Sequence, residues 1–274
     1  MQYKLFFAMK IKLFTVPNLL TLSNLLCGAF ASLAALVYGS LEWAFWLIVL
    51  AAVFDFFDGF VARLLKCPSA IGVELDSLAD MVSFGFAPSA VVYAMTVGGM
   101  AEGTPVWIRL VATFVCFVMA AFSALRLAKF NIDETQHTEF CGLPTPANAL
   151  FFSSLGFIGV RTGLDFGGWP LLIVVVAMSW LLVSPVRMFA LKFRGFGWRG
   201  NQIRYLFLLL CVAVIASLRI YAIPVIILLY ILISAIRWGM QANRGGQESA
   251  EAQAAEERTD EEARSASDDA PKVE

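Results

Sequence analysis

Stretches of mostly apolar residues, each about as long as a bilayer crossing, recur along this chain with only short interruptions. A spanning helix needs about 20 such residues. Inside hydrocarbon every backbone N–H and C=O must be satisfied, which an isolated helix achieves within its own segment. Eight stretches are readable, near residues 19–38, 42–64, 75–97, 107–128, 146–163, 169–190, 204–219 and 221–238, the last two separated by little more than Arg219. The expectation is an all-α integral membrane protein with about eight transmembrane helices. Composition agrees: 59% of the 274 residues are hydrophobic, 15% are charged and the mean hydropathy is +0.76. Soluble domains carry about 25% charged residues.

Lys and Arg mark the orientation, because cytoplasmic loops are enriched in them. With the N-terminus inside, the cytoplasmic segments hold Lys4, Lys10 and Lys12, then Arg63 and Lys66, then Arg126 and Lys129. Arg187, Lys192, Arg194, Arg199 and Arg204 follow, and then Arg237 and Arg244. The opposite side has only Arg109, Arg161 and Arg219. Both termini are therefore expected in the cytoplasm and the chain in the cytoplasmic (inner) membrane. Residues 1–14 mix three lysines with Phe and Leu, as an interfacial amphipathic segment does. A signal-peptide start is the alternative, but no convincing small-residue cleavage site follows. Residues 15–242 form the transmembrane domain. The net charge of −1 hides an asymmetry, since residues 243–274 hold ten of the 21 acids and four of the 20 bases. That tail has no aromatic residue, cannot bury a core and is expected to be disordered.

Several chemistries are excluded. A single histidine, His137, rules out every mechanism that needs two, and its neighbours Glu134, Thr138 and Glu139 mark a solvated loop. Cys27, Cys67, Cys116, Cys141 and Cys211 are scattered singly, so neither a zinc site nor a redox dithiol is suggested. They read as small hydrophobes. No Walker-type loop points to ATP. The 24 Phe and 7 Trp read as lipid-facing and interfacial, and no nucleic-acid partner is expected.

Against this background four carboxylates stand out. The run FDFFDGFVARLLKCPSAIGVELDSLAD places Asp55, Asp58, Asp76 and Asp80 inside apolar stretches. A charged residue at the centre of a spanning helix costs about 2.5 to 3.5 kcal/mol on insertion scales. Only Arg63 and Lys66 lie nearby in sequence, so most of that charge needs another partner. At 100° per residue Asp55, Asp58, Gly59, Ala62 and Arg63 share an arc of roughly 140°, and Gly72, Asp76 and Asp80 one of roughly 80°. Gly59, Ala62 and Gly72 leave room for a ligand or a second helix to approach. Facing pairs of carboxylates make an oxygen-rich cage suited to Mg²⁺ or Mn²⁺. Arg63, about one and a half turns beyond Asp58, is placed to meet a phosphate with its planar fork. The alternative is a water-filled ion path.

The pattern Asp55-x2-Asp58-Gly59-x2-Ala62-Arg63-x8-Gly72-x3-Asp76-x3-Asp80 resembles the signature of the CDP-alcohol phosphatidyltransferase family at all eight fixed positions and every spacing. Chance agreement is on the order of 10⁻¹⁰ per starting position at average residue usage. Further segments resemble the phosphatidylserine-forming branch: VPNLLTLSNLLCG at 16–28, DSLADMVSFGFAPS at 76–89, ALRLAKFN at 124–131 and GLPTPANA at 142–149. The resemblance covers residues 15–190, and implies transfer of the phosphatidyl group from CDP-diacylglycerol to L-serine with release of CMP. It further implies that Asp55, Asp58 and Asp76 bind two divalent ions, and that Asp80 ligates one of them and serves as the base. Asn18, Thr21, Asp55, Gly59, Arg63 and Ser69 would contact the CDP group. A homodimer is implied as well, with the site facing the cytoplasm.

The alcohol is less constrained by the residues. A zwitterion needs a cation for its carboxylate, and Arg126, Lys129, Asn131 and Arg187 are the candidates, although each also reads as an ordinary cytoplasmic flank. Glycerol 3-phosphate, inositol phosphate or choline are alternatives within the same chemistry. A phosphorylated alcohol would demand additional cations facing the site. In a different class, a divalent-cation transporter could hold its ion on the same aspartates, but such sites usually lie at broken helices or repeat interfaces.

Overall fold

A computed structural model describes residues 13–66, 69–132, 139–189 and 202–240. Expectations for residues 1–12, His137, Cys67, Lys192, Arg194, Arg199 and the acidic tail fall outside these segments. Helix α1 (Val16–Leu36) opens on Thr15, whose hydroxyl accepts the Asn18 N–H, with Pro17 in the first turn. Pro is tolerated there because that N–H would have no helical partner anyway. A tight turn at Gly39, φ +61°, leads into α2 (Leu41–Leu64), capped by Ser40. The two helices form a closely packed hairpin.

Helix α3 runs over Ala70–Thr96, and its start is capped by Ser69, which accepts the Gly72 N–H at 3.1 Å. That cap begins the helix five residues before the apolar stretch expected at 75, so Ser69 and Gly72 sit at a helix mouth. Immediately after Asp80, residues Met81–Phe86 form a π turn within α3. Helix α4 (Val106–Ile132) follows, then strand β1 (Glu139–Cys141), α5 (Thr145–Thr162), α6 (Trp169–Val183) and strand β2 (Arg187–Phe189).

The strands pair antiparallel, Cys141 opposite Arg187 and Glu139 opposite Phe189. This two-stranded ribbon corrects the all-α expectation. It also shortens the apolar stretch expected at 169–190: α6 ends at Val183, and Arg187 lies on a strand instead of at a helix end. The Gly142 N–H donates to Val186 O and the Leu143 N–H to Leu181 O, so the chain leaving α6 is tied to the α4–α5 connection.

Helix α7 (Gln202–Leu218) ends in a 3-10 turn at Arg219–Tyr221, and residues 222–240 form α8. Arg219 takes φ +48°. The Phe207 and Tyr230 rings lie 6.0 Å apart, whereas 23 residues of straight helix would separate them by about 34 Å. The chain therefore folds back at Arg219.

Among the described residues five helical stretches are long and apolar enough to cross a membrane: Val16–Leu36, Leu41–Leu64, Ala70–Thr96, Val106–Ile132 and Tyr205–Met240, the last folded back on itself at Arg219. The interior between them is built from small residues where helices meet most closely. Ala31, Ala34 and Ala35 of α1 pack with Ala44 and Ala51 of α2, Ala87 and Ala90 of α3, and Ala149 of α5. Without a water-driven hydrophobic effect, such close backbone approach supplies the packing. A second cluster of larger side chains, among them Met119, Phe152, Val175 and Leu182, joins α4, α5 and α6. Some hydroxyls inside these interfaces donate within their own helix, as Ser32 to Gly28 O and Thr96 to Val92 O do. Outward-facing residues such as Phe30, Trp46, Phe114 and Ile173 are exposed and apolar, as a lipid-facing surface requires.

Candidate active site

Three helices converge near the end of the bundle where α1 starts, α2 stops and α3 starts. On α1, Asn18, Thr21 and Asn24 recur every three residues and are all buried. A spacing of three keeps them on neighbouring positions of one face. Asp76 and Asp80 stand six and ten residues into α3, roughly 9 and 15 Å along its axis. Their carboxylates thus lie within the span rather than at its rim.

Asp55, Asp76 and Asp80 each bring a carboxylate oxygen within 4.8 Å of the other two. Asp58 stands beside this trio and is turned toward α1, where Thr21 Oγ1 donates to Asp58 Oδ2 at 2.6 Å. Asn24 Nδ2 donates to Asp80 Oδ1 at 3.1 Å. Asp58 and Asp80 are only 6% and 8% exposed. Asp76 Oδ1 is buried without any hydrogen-bond partner among the described residues. Such crowded carboxylates are tolerable only with a counter-charge, and an all-oxygen, anionic donor set with an orphaned oxygen fits a hard divalent cation.

Beside the acids opens a cleft of about 140 Å³, lined by Pro17, Asn18, Thr21, Asp58, Gly59, Ala62, Ser69, Gly72, Val73 and Asp76. Gly72 keeps its wall open, since a Cβ there would lie 3.0 Å from Ser69 Oγ and 3.4 Å from Asn18 Oδ1. Arg63, exposed at the end of α2, folds back so that its Nη1 lies 3.4 Å from where a Gly59 Cβ would stand. It is also within electrostatic reach of Asp58.

On the far side of Asp80 a second polar group gathers. Arg126 Nη1 donates to the buried Thr145 Oγ1 at 3.1 Å, linking α4 to α5. Its guanidinium is within electrostatic reach of Asp80 and of Tyr230. One turn farther into the same two helices, Ser123 Oγ and both amide atoms of Asn148 are buried with no partner among the described residues.

Residues 14–193 match the CDP-alcohol phosphatidyltransferase family. The chain belongs to that family. A CDP-diacylglycerol–serine O-phosphatidyltransferase of Helicobacter pylori strain J99 is 32% identical to it over 235 residues, 82% of this chain and 92% of that protein. One of Bacillus subtilis strain 168 is 30% identical over 172 residues, covering 63% of this chain and 88% of that protein. One of Mycobacterium leprae strain TN is 37% identical over 185 residues, covering 63% of this chain and 57% of the relative.

The structure of this phosphatidyltransferase gathers Asn18, Thr21, Asp58, Gly59, Ser69 and Asp76 along one cleft, with Asp55 and Asp80 at the acidic trio. Of the residues weighed for serine, it brings Arg126 toward Asp80. Asn131 Nδ2 donates instead to Ser77 Oγ at 2.9 Å, next to Asp76 on α3. Lys129 and Arg187 are exposed, Arg187 on the ribbon. Sequence reasoning missed Asn24, Thr145 and Asn148. Asn24 carried a readable signal, a polar amide three residues past Thr21 inside an apolar stretch, where such groups are expensive.

Proposed function

We propose that this protein transfers the phosphatidyl group of CDP-diacylglycerol to the hydroxyl of L-serine, releasing CMP, at a site that opens to the cytoplasm. The observation that carries this is the convergence of Asp55, Asp76 and Asp80 beside a cleft floored by small residues. The names of the relatives support the choice of substrates. Asp55, Asp58, Asp76 and Asp80 hold two divalent ions, Mg²⁺ or Mn²⁺, which would supply Lewis-acid neutralisation of the diphosphate when bound.

The remaining work belongs to the chain itself. Asn18, Thr21, Asp55, Gly59, Arg63 and Ser69 hold the CDP group, Gly59 and Gly72 letting it approach the helix backbones. Arg63 balances diphosphate charge near the exit of CMP. Asp80 takes the proton of the serine hydroxyl as that oxygen bonds to the phosphorus bearing the diacylglycerol. The bond from this phosphorus to the oxygen of CMP breaks, and CMP leaves with the bonding pair. No Ser, Cys or His is paired with a base in the signature, so the displacement is direct. Arg126, steadied by Thr145, receives the serine carboxylate, while Lys129, Asn131 and Arg187 serve the cytoplasmic rim. Arg63 is in electrostatic reach of Asp58 and Arg126 of Asp80.

Eight spans complete the architecture, with α5, α6 and the two arms that meet at Arg219 counted alongside the first four helices. The chain acts in the inner membrane as a homodimer, its residues 1–14 on the membrane surface and its acidic tail from 243 in the cytoplasm. The deciding experiment is CMP release by the purified protein given CDP-diacylglycerol and Mn²⁺ or Mg²⁺, with serine compared against glycerol 3-phosphate, inositol phosphate and choline. Serine-dependent release that vanishes in Asp80→Asn is the expected result. Turnover with another alcohol would overturn the serine assignment, and metal flux in liposomes without CMP release would favour an ion carrier.

A further inference from the structure

Asn24 lies 56 positions from Asp80 in sequence, yet the two are hydrogen-bonded in the interior. The residue is fully buried, and its amide orientation is fixed by chemistry: a carboxylate oxygen offers only an acceptor, so the donor end must face it. The same residue is held a second time. Ser83 Oγ, also fully buried, donates to the backbone carbonyl of Asn24 at 2.9 Å.

These two links bracket the start of the π turn. Asp80 immediately precedes Met81–Phe86, and Ser83 lies inside it. A π turn inserts extra residues per turn and re-aims the side chains around it, which is why such turns recur at functional sites. Helix α1 accommodates the widened turn through Gly28, where a Cβ would fall 2.4 Å from Ser83 Oγ and 2.5 Å from Ser83 Cα. Backbone therefore meets backbone at this level. Asn24 is clamped between the last aspartate of the signature and the turn that follows it.

We infer that Asn24 is a positioning residue for Asp80: its amide holds one carboxylate oxygen on the α1 side, so that the other is presented to Asp55, Asp76 and the incoming hydroxyl. A neutral donor suits this task. Lys or Arg at the same place would orient the carboxylate equally well but would form an ion pair competing with any cation bound by the trio. The amide oxygen of Asn24 has no hydrogen-bond partner among the described residues. The amide's donor end therefore carries its role, since buried polar atoms are seldom left unpaired without reason.

The inference rests on Asp80 being the group that takes the proton, and the test separates the two ideas. Steady-state kcat and KM for serine and for CDP-diacylglycerol are measured on the purified protein and on Asn24→Ala, Asn24→Leu, Asn24→Gln, Ser83→Ala and Asp80→Asn, with thermal stability of each. Asn24→Leu keeps the buried volume without the donor. Expected are a kcat lowered 10- to 100-fold in both the Ala and Leu variants, both KM values within two-fold of the parent, and partial recovery of kcat in Asn24→Gln. Ser83→Ala lowers kcat three- to ten-fold by loosening the second link. Parental kcat in Asn24→Leu beside an inactive Asp80→Asn overturns this inference alone. So does a loss in Asn24→Leu that tracks lowered melting temperature and raised KM together. Retained turnover in Asp80→Asn overturns the reading beneath it.

Discussion

The hydroxyl of Thr21 reaches from α1 to Asp58 across 2.6 Å, and Asp58 is the one signature carboxylate outside the trio. A hydrogen bond to a charged group contributes about 1.5 to 3 kcal/mol, and an abandoned buried acceptor costs comparably. Thr21→Val keeps the shape and removes the donor. Its expected effect is a kcat/KM for CDP-diacylglycerol lowered 10- to 100-fold, with KM for serine little changed, measured by CMP release. On the opposite side of Asp80, Arg126→Ala is expected to raise KM for serine at least ten-fold while KM for CDP-diacylglycerol stays within two-fold. An unchanged KM for serine would remove Arg126 from the alcohol site. The two outcomes divide the site as its geometry does, Thr21 on the cleft and Arg126 beyond the aspartates. The aspartates, Gly59 and Gly72 were legible in the sequence because helical spacing alone puts them on two stripes. Thr145 was not, because its partner Arg126 lies on a different helix whose facing cannot be derived from either segment alone.

Among the helices, α1 and α3 meet with the least tolerance. Gly28→Ala places a methyl group against Ser83 Cα, which is backbone and cannot swing aside. Overpacking of this kind costs about 1 to 3 kcal/mol. The expected result is a lower melting temperature in detergent together with a reduced kcat, because the displaced turn follows directly on Asp80. Gly72→Ala tests a different element, the mouth of α3. There the neighbours are side-chain atoms of Ser69 and Asn18, so the helix accommodates the methyl while the cleft narrows. KM for CDP-diacylglycerol should rise about ten-fold with little change in melting temperature, on the view that a lost cleft contact weakens binding by about 1.4 kcal/mol per decade. Element boundaries show where sequence patterning stops being informative. The fold-back at Arg219 was readable as a break between two apolar stretches. The end of α6 was not, because VSPVRMF remains apolar enough to continue a span, and strands of three residues such as Arg187–Phe189 are too short to display a two-residue period.

At the scale of the whole molecule, charge placement and site placement point the same way. The aspartate cluster lies in the half of the bundle nearest the α2–α3 connection, where Arg63 and Lys66 stand exposed. At the other end the arginines are few and locally engaged. Arg161 pairs with Glu42 and lies over the Phe157 ring at 5.4 Å, and Arg109 Nη2 donates to Ala101 O at 2.8 Å. Enrichment of Lys and Arg in cytoplasmic loops would put the Arg63–Lys66 end inside. The orientation is therefore testable with one label at each end. In a background in which the native cysteines are replaced by alanine or serine, Lys66→Cys and Glu102→Cys introduce single thiols at exposed positions on the α2–α3 and α3–α4 connections. A membrane-impermeant maleimide applied to intact spheroplasts should label Glu102→Cys and spare Lys66→Cys until the membrane is opened. The reverse pattern would place the cleft outside, away from any nucleotide-activated lipid made in the cytoplasm, and the proposed reaction would lose its supply of substrate.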